Sequence, residues 1–279
     1  MRLLQTTIAL VLIGAPPLPA GPATAEPATA QAAARAPEKK TAPDKKTAAA
    51  KAKPKMTGPR FTLVLLGAFT PGSLDTSVFR SFEEFTETGS LQADHSFDSG
   101  IGGEIGLQYL LKKSLGLAAS FSFLSRDGSA TYEAEFPHPL LLDTPREASG
   151  TIDGLSYKET AIHVDVVYTE TKGAFTYALF AGPTFFLSVE ADALKVPQYS
   201  HTYPYDTVTV TSVPVESPSG SAFGFNLGGE LGYRLAKQVD AGLRVRFSRA
   251  TTDLDLAGGG SVEVSAGGFA IGVGVRIRF

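Results

Sequence analysis

Histidine, aspartate and serine side chains recur where two neighbouring segments alternate polar and apolar residues. His163 and Asp165 share one face of a predicted strand, and Ser120 and Ser122 share the matching face of the preceding one. These residue types can form a nucleophilic triad when their geometry aligns. The alternative is a hydrogen-bonded interior network. Because this face is predicted to point into a narrow interior that substrates do not reach, we expect the network and no catalysis.

Metal and cofactor sites are not predicted. The other histidines, His95, His138 and His201, fall in three separate loops without the spacing of metal ligands. The glycine clusters at 102–103 and 258–260 are not followed by a helix, as a phosphate-binding loop requires. Cysteine is absent, which excludes disulfides and thiolate metal sites. We therefore expect no enzyme activity, no cofactor and no nucleic-acid partner.

The first 58 residues differ in composition from the rest. Residues 1–25 combine a charged start, a short apolar run and small residues before the expected cleavage site, which is typical of a secretory signal peptide. Residues 26–58 are rich in Ala, Pro and Lys, and they are predicted to be disordered because they contain few large apolar side chains. This basic segment is either a solvated spacer or an arm that contacts cell wall or anionic lipid headgroups.

Residues 59–279 are predicted to form an all-β domain. The last strand shows the pattern most clearly, since every second residue is apolar and the positions between are small or charged. Its apolar face carries Phe269, Ile271, Val273, Val275, Ile277 and Phe279. Seven earlier segments alternate in the same way: 60–70, 97–111, 115–126, 155–170, a segment from 173, 221–234 and 238–249.

The connections between these segments alternate in length. The short ones are 112–114, 171–172 and 235–237, and the long ones are 71–96, 127–154, 190–220 and 250–265. Aromatic residues recur at both strand ends, and at the long-loop ends they are Phe69, Phe97, Phe123, Phe185, Phe223, Phe247 and Phe269. This pattern predicts an eight-stranded antiparallel up-and-down transmembrane β-barrel with short periplasmic turns and long extracellular loops.

The chain resembles the small eight-stranded outer-membrane barrels that include the OmpA transmembrane domain, OmpX and OmpW. The resemblance covers residues 60–279 and rests on the alternation, the Phe-Ala-Gly-Pro-Thr-Phe stretch at 180–185 and the Arg-Ile-Arg-Phe ending. It implies location in the cell outer membrane and recognition of the terminal Phe279 by the barrel-assembly machinery. We expect a monomer that contacts outer-membrane lipid and lipopolysaccharide.

The predicted interior contains four acidic and four basic residues. An eight-stranded barrel is just wide enough for side chains to fill, so these charges are expected to pair and form a plug. The predicted interior network is Glu104, Gln108, His163, Asp165, Glu230, Asp240, Arg244, Arg246, Arg276 and Arg278. The turn positions place Glu230 opposite Arg244 and Asp240 close to Arg276. An open pore would instead favour one sign of charge.

The long loops are acidic and carry apolar segments. Lys and Arg against Asp and Glu number one against five in 71–96, one against six in 127–154 and one against four in 190–220. This charge either keeps the rim solvated or recruits divalent cations or a basic partner. Phe79, Phe82 and Phe85 recur at a spacing that indicates a short amphipathic helix. The other candidate contact residues are Leu140, Leu141, Leu142, Tyr199, Tyr203 and Tyr205.

These observations favour a non-enzymatic envelope protein whose extracellular loops mediate surface contact or adhesion. Two alternatives stay open from the sequence. The first is a small porin or a transporter of small hydrophobic molecules, and the second is a lipid-modifying outer-membrane enzyme.

Overall fold

The computed structural model describes residues 60–257 and 260–279, so the interpretations of residues 1–25 and 26–58 lie outside the described residues. The described residues contain no helix, and hence none long and apolar enough to cross a membrane. The strands in the described part are β1 (Phe61–Thr70), β2 (Leu74–Glu84), β3 (Glu87–Phe97), β4 (Gly100–Leu110), β5 (Leu115–Phe136), β6 (Arg146–Lys172), β7 (Phe175–Ala191), β8 (Ala193–Leu194), β9 (Gln198–His201), β10 (Val208–Ser212), β11 (Val215–Glu216), β12 (Ser219–Arg234), β13 (Val239–Asp255) and β14 (Ser261–Arg278).

Eight of the strands form a closed antiparallel ring. The order around the ring is β1, β4, β5, β6, β7, β12, β13 and β14, and β14 pairs again with β1. The register of the closing pair runs from Thr62 opposite Arg278 to Phe69 opposite Ile271. The predicted all-β, up-and-down barrel is thereby confirmed, and each strand of the ring has a hydrogen-bonded neighbour on both sides.

The strands are longer than predicted at the end of the barrel where the long loops lie. β5 continues to Phe136 and pairs with β6 as far as Arg146, well beyond the predicted strand end at residue 126. A glycine in the left-handed region, Gly154 with φ of 81°, lies at the shift in register within this pair. We call the part of the barrel beyond this level the distal extension: β2, β3, residues 127–157, residues 187–222 and residues 250–266.

The predicted amphipathic helix at Phe79–Phe85 is wrong. The segment forms β2, which pairs with β3 in a hairpin, and β3 pairs in turn with the extended part of β5. Phe85 and Thr86 have positive φ angles of 50° and 66° and make the turn of this hairpin. The spacing of three misleads because Phe79 faces outward and Phe82 faces inward, on opposite sides of one strand.

The polarity of the two strand faces inverts at the base of the distal extension. On β13 the interior face carries the charged Asp240, Arg244 and Arg246 in its lower part and the apolar Ala250 and Leu254 in its upper part. The outward positions change in the opposite sense, from Leu243 and Val245 to Thr251 and Asp253. β14 inverts at the same height. Such an inversion is expected where the surroundings of a barrel change from lipid to water.

The interior of the distal extension is an apolar core. Its centre includes Leu91, Phe136, Tyr157, Val189 and Leu254, each fully buried, and residues from β2, β3, β5, β6, β7, β13 and β14 contribute to it. Phe97, predicted to face outward in an aromatic belt, is instead the buried last residue of β3, with its ring centre 5.6 Å from that of Tyr157. The long connections are thus largely a continuation of the barrel.

Candidate functional site

Glu230 is the centre of the charged interior network. It lies opposite Arg244 in the β12–β13 register, and its carboxylate accepts a hydrogen bond of 2.6 Å from Arg244 Nε as well as one from Nη2. Arg276 Nε lies 2.5 Å from its other oxygen. Asp240 faces Arg276 across β13 and β14, at 4.0 Å, and accepts from Arg278 at 2.8 Å. Both pairs expected from the turn positions are present.

A second set of charges continues the network towards the distal extension. Glu104 forms salt bridges with Arg244 and, at 2.8 Å, with Arg246. Arg246 also reaches Asp165 at 3.4 Å. All these side chains are at least nine-tenths buried, so their charges must be compensated inside the barrel.

The interior network also contains three residues that the sequence analysis does not predict as members: Asn226, Thr184 and Phe180. Asn226 donates hydrogen bonds to Asp165 at 2.8 Å and to Thr184 at 3.0 Å. The ring of Phe180 lies 5.1 Å from the Arg244 guanidinium carbon and 4.9 Å from that of Arg246. All three residues lie at inward positions of their alternating strands, and this position is the feature of the sequence that could have identified them. At the short-turn end, the predicted Gln108 donates to Thr169 at 2.9 Å.

The histidine, aspartate and serine set is not arranged as a triad. His163 Nε2 is hydrogen bonded to Ser122 Oγ at 2.9 Å, but its Nδ1 is bonded to Thr184 at 2.8 Å instead of a carboxylate. Asp165 is occupied by Asn226 and Arg246, and Ser120 accepts from Arg246 at 3.1 Å. The arrangement therefore lacks the carboxylate that would orient and charge-stabilise a histidine base.

A small cavity separates the charged network from the apolar core. It measures about 60 Å³ and is lined by Glu104, His163 and Arg246 on one side and by Phe186 on the other. This volume holds a few water molecules and suits its partly polar lining. The charged side chains interlock on one side of it, and the apolar core begins on the other. In residues 60–257 and 260–279 no cluster of His, Asp or Glu side chains is arranged to hold a metal ion.

The end of the distal extension displays three exposed leucines in an ordered turn. Leu140, Leu141 and Leu142 are 67%, 54% and 72% exposed. The backbone N–H groups of Leu140 and Leu141 donate to His138 Nδ1 at 3.1 and 3.0 Å. The buried Arg146 donates to the carbonyl of Pro137 at 2.5 Å. These bonds hold the leucines in the exposed position.

Two further turns meet this one at the same end. Asp143 N–H donates to Glu87 of the β2–β3 hairpin at 2.7 Å, and Arg146 reaches the carbonyl of Tyr205 at 3.4 Å. The ring of Phe85 lies 6.1 Å from that of His201, which contacts Tyr205 at 5.4 Å. The structure thus brings together parts of three loops that are far apart in sequence. We call Phe85, Leu140, Leu141, Leu142, Tyr203 and Tyr205 the distal tip.

Three of the candidate contact residues lie elsewhere. Phe82 and Tyr199 turn inward and pack on Phe136, with ring-centre distances of 5.7 and 4.2 Å, so these two belong to the apolar core. Phe79 is 69% exposed, but it lies on the outer face of the extension, beside an acidic groove lined by Glu133, Glu135 and Glu147. Alternate positions of one strand face opposite sides of the sheet. Phe82 therefore faces the core and Phe79 the outer surface, and neither is part of the distal tip.

A closed ring with an apolar outer surface, a charged interior and a polar-faced extension defines the class of integral outer-membrane β-barrels. The family comparison agrees: the model of the outer membrane protein beta-barrel domain matches residues 47–279. The chain belongs to this family, and the protein resides in the cell outer membrane with its distal extension on the extracellular side.

Solved structures similar to the chain are also outer-membrane proteins. OprG from Pseudomonas aeruginosa is 9% identical, with 80% of this chain and 96% of OprG covered and a TM-score of 0.47. Ail, the attachment invasion locus protein of Yersinia pestis, is 12% identical over 80% of this chain and 100% of Ail, with a TM-score of 0.35. The outer membrane protease OmpT from Escherichia coli is 9% identical over 80% and 96%, with a TM-score of 0.36. No curated protein matches the sequence.

Proposed function

We infer that this protein is a non-enzymatic surface-contact protein that uses its distal tip to bind an apolar or aromatic surface. The observation that supports this most strongly is the exposure of three consecutive leucines at the end of a rigid, stranded extension. Exposed apolar groups of this kind cost solubility unless they bind something, and clusters of them mark interaction sites. The extension holds them away from the membrane.

Pre-organisation of the distal tip supports the same function. The leucine turn is held by His138, Glu87 and Arg146, and its neighbours Tyr203 and Tyr205 stack edge-on at 5.8 Å. A surface already ordered before binding loses less conformational entropy on contact than a mobile loop would. Aromatic residues beside aliphatic ones are also the composition enriched at the centres of protein interfaces.

Two alternatives receive less support. A porin or transporter needs a path through the interior, whereas the interior here is occupied by interlocked charges and an apolar core. A lipid-modifying enzyme needs a reactive group within reach of lipid, whereas His163 is buried and bonded to Thr184. Turnover of lipid A by the purified protein that disappears in His163→Ala would contradict the non-enzymatic part of the proposal.

The test replaces Leu140, Leu141 and Leu142 by serine and measures adhesion of cells that display the protein, both to polystyrene and to one another. We expect adhesion to fall about tenfold or more, since each buried leucine contributes roughly 1.5–3 kcal/mol to a contact. The matched control is Leu111→Ser with Leu235→Ser, two exposed leucines at the short-turn end. Equal adhesion of the triple variant and the wild type, at equal surface amounts, would exclude the distal tip as the contact site.

A further inference from the structure

A groove opens on the side of the barrel where the polarity of the strands inverts. It lies between the start of β2 and residues 265–269 of β14, and it measures about 460 Å³. Its lining contains two arginines, Arg126 and Arg249, several serines and no carboxylate. This composition is opposite in charge to the acidic loops around it, so the groove favours an anion.

Arg126 is a buried cation that faces this groove with unused hydrogen-bonding capacity. Its side chain is only 4% exposed. Nη1 donates to the carbonyls of Gly72 and Asp98 at 2.9 and 3.0 Å, whereas Nε has no hydrogen-bond partner within the described residues. The buried Glu159, which accepts from the N–H of Gly267 at 2.7 Å, attracts Arg126 from the interior side, and a buried donor without a hydrogen-bond partner remains costly. An anionic oxygen in the groove would reach the guanidinium group through Nη2, which lies on the side of Gly268 and makes no hydrogen bond within the described residues.

The backbone of β14 is shaped to open the groove beside Arg126. Gly267 and Gly268 have φ angles of 93° and 129°, which side chains rarely adopt. A Cβ on Gly267 would lie 2.4 Å from the carbonyl oxygen of Ser248, and a Cβ on Gly268 would lie 3.9 Å from Arg126 Nη2. The absence of a side chain at Gly268 therefore leaves the space beside Arg126 Nη2 open, and Ser248 leaves no room for a side chain at Gly267.

The height of the groove identifies the source of the anion. Phe269 lines it and is the last outward apolar residue of β14, with its ring 4.9 Å from that of Phe247 on β13. The outward residues above are polar, and Asp253 faces Glu263 there. Aromatic residues at the end of the lipid-facing band lie at the level of the lipid headgroups. Arg249 is exposed at this level and contacts Ser265 at 3.3 Å.

We propose that this groove binds the phosphate group of an outer-leaflet lipid, with Arg126 and Arg249 as the phosphate ligands and Phe269 beside the acyl chains. Arginine suits phosphate because its planar guanidinium group can donate two parallel hydrogen bonds. The site is independent of the distal tip, which lies at the far end of the extension.

The test uses the full chain in phosphatidylcholine nanodiscs that contain a small fraction of diphosphoryl lipid A, and counts the lipid A that stays bound by native mass spectrometry. We expect Arg249→Gln and Arg126→Gln each to weaken retention about tenfold, as expected for the loss of one charge-assisted bond. The control Arg234→Gln removes an exposed arginine at the short-turn end and should retain lipid A like the wild type.

Arg126 also fastens the β1–β2 turn through Gly72, so Arg126→Gln can impair folding by itself. Arg249 is exposed, and Arg249→Gln therefore decides the question if the other variant does not fold. Lipid A without its phosphates should not be retained, and inorganic phosphate at the same phosphate concentration should not displace the lipid. Unchanged retention by Arg249→Gln, retention of the dephosphorylated lipid, or full displacement by inorganic phosphate would each overturn the proposal.

Discussion

Glu230 forms salt bridges with two buried arginines through one carboxylate. Its substitution is therefore expected to destabilise the interior network. Arg244 and Arg276 both contact it, and the side chains of Glu230 and Arg276 are each 2% exposed. A buried ion pair contributes little net free energy while intact, because desolvation of the charges opposes their attraction. Removing Glu230 is different, since it leaves one buried positive charge in excess: Glu104 and Asp240 still face Arg244 and Arg276, but they also compensate Arg246 and Arg278.

Glu230→Gln should therefore lower the free energy of unfolding by about 3–5 kcal/mol. Urea unfolding in lipid vesicles, followed by circular dichroism, measures this change. The matched control is Glu170→Gln, which removes an exposed partner of Lys172 at 3.7 Å and should change the free energy by less than about 1 kcal/mol. Similar effects of the two substitutions would show that the interior network is not needed for stability.

His95 is the buried histidine through which we expect acid to act on the distal extension. It lies on β3, where its Nε2 accepts the backbone N–H of Leu194 at 3.2 Å. Burial lowers the pKa of His95, and this effect outweighs the opposite effects of hydrogen bonds to the backbone of Ala93 and Thr76 and of the charge of Asp94. Protonation would also replace the acceptor at Nε2 by a donor facing the N–H of Leu194.

We expect the β2–β3 hairpin to lose stability as the pH falls below about 6.5. In that range the unfolded histidine binds a proton that the folded one excludes, so the proton favours the unfolded state. Hydrogen-exchange protection of residues 74–97, compared at about pH 7.5 and about pH 5.5, measures the effect. It should vanish in His95→Gln and persist in His201→Gln; equal acid sensitivity of all three proteins would exclude His95 as the cause.

At the scale of elements, β14 contains two segments with opposite requirements. Val273 lies on the outward face of the lower segment and is 63% exposed, which lipid accommodates. Glu263 lies on the outward face of the upper segment, which is polar. One strand thus crosses from a lipid-facing to a water-facing environment without interruption of its hydrogen bonding to β13.

Val273→Lys should lower the free energy of unfolding by about 2–4 kcal/mol, because a charge near the middle of the lipid-facing band loses its hydration. Glu263→Lys should leave the free energy of unfolding nearly unchanged. Reversible unfolding of both variants in the same vesicles compares them directly. Equal stability of the two variants would show that lipid does not contact the outward face at Val273.

For the whole molecule, the two kinds of interior packing together close the barrel along its length. The charged network fills the lower part, and the apolar core fills the distal extension, with a cavity of about 60 Å³ between them. The apolar core beyond the cavity includes the buried side chains of Phe97, Tyr157 and Leu254. The packed interior of the distal extension thus supports the distal tip.

Planar-bilayer recordings should accordingly show no steady conductance for the purified protein, because ions would have to displace salt bridges and cross an apolar layer. An open porin inserted under the same conditions serves as the positive control. A steady current that scales with the amount of inserted protein, and that is lost on deletion of residues 74–97, would demonstrate an aqueous path and favour the transporter alternative.

The membrane-spanning barrel and two of its interior ion pairs follow from the order of residues along the chain. A tight turn sets the register of the strands it joins, so the position of residues 235–237 was enough to place Glu230 opposite Arg244. The clean alternation of β14 likewise indicated which residues face lipid. These features follow from local geometry, and they needed no knowledge of distant contacts.

The architecture of the long connections depends on contacts between segments that lie far apart in the chain. No tight turn links β3 to β5, so their pairing could not be derived from local spacing. Alternation alone also does not tell which face is inside: apolar residues face outward in lipid and inward in water. The alternation therefore predicts Phe82 and Tyr199 at the surface, whereas both pack against the apolar core. The height at which lipid gives way to water is shown by the change of polarity at the same level on the neighbouring strands β13 and β14.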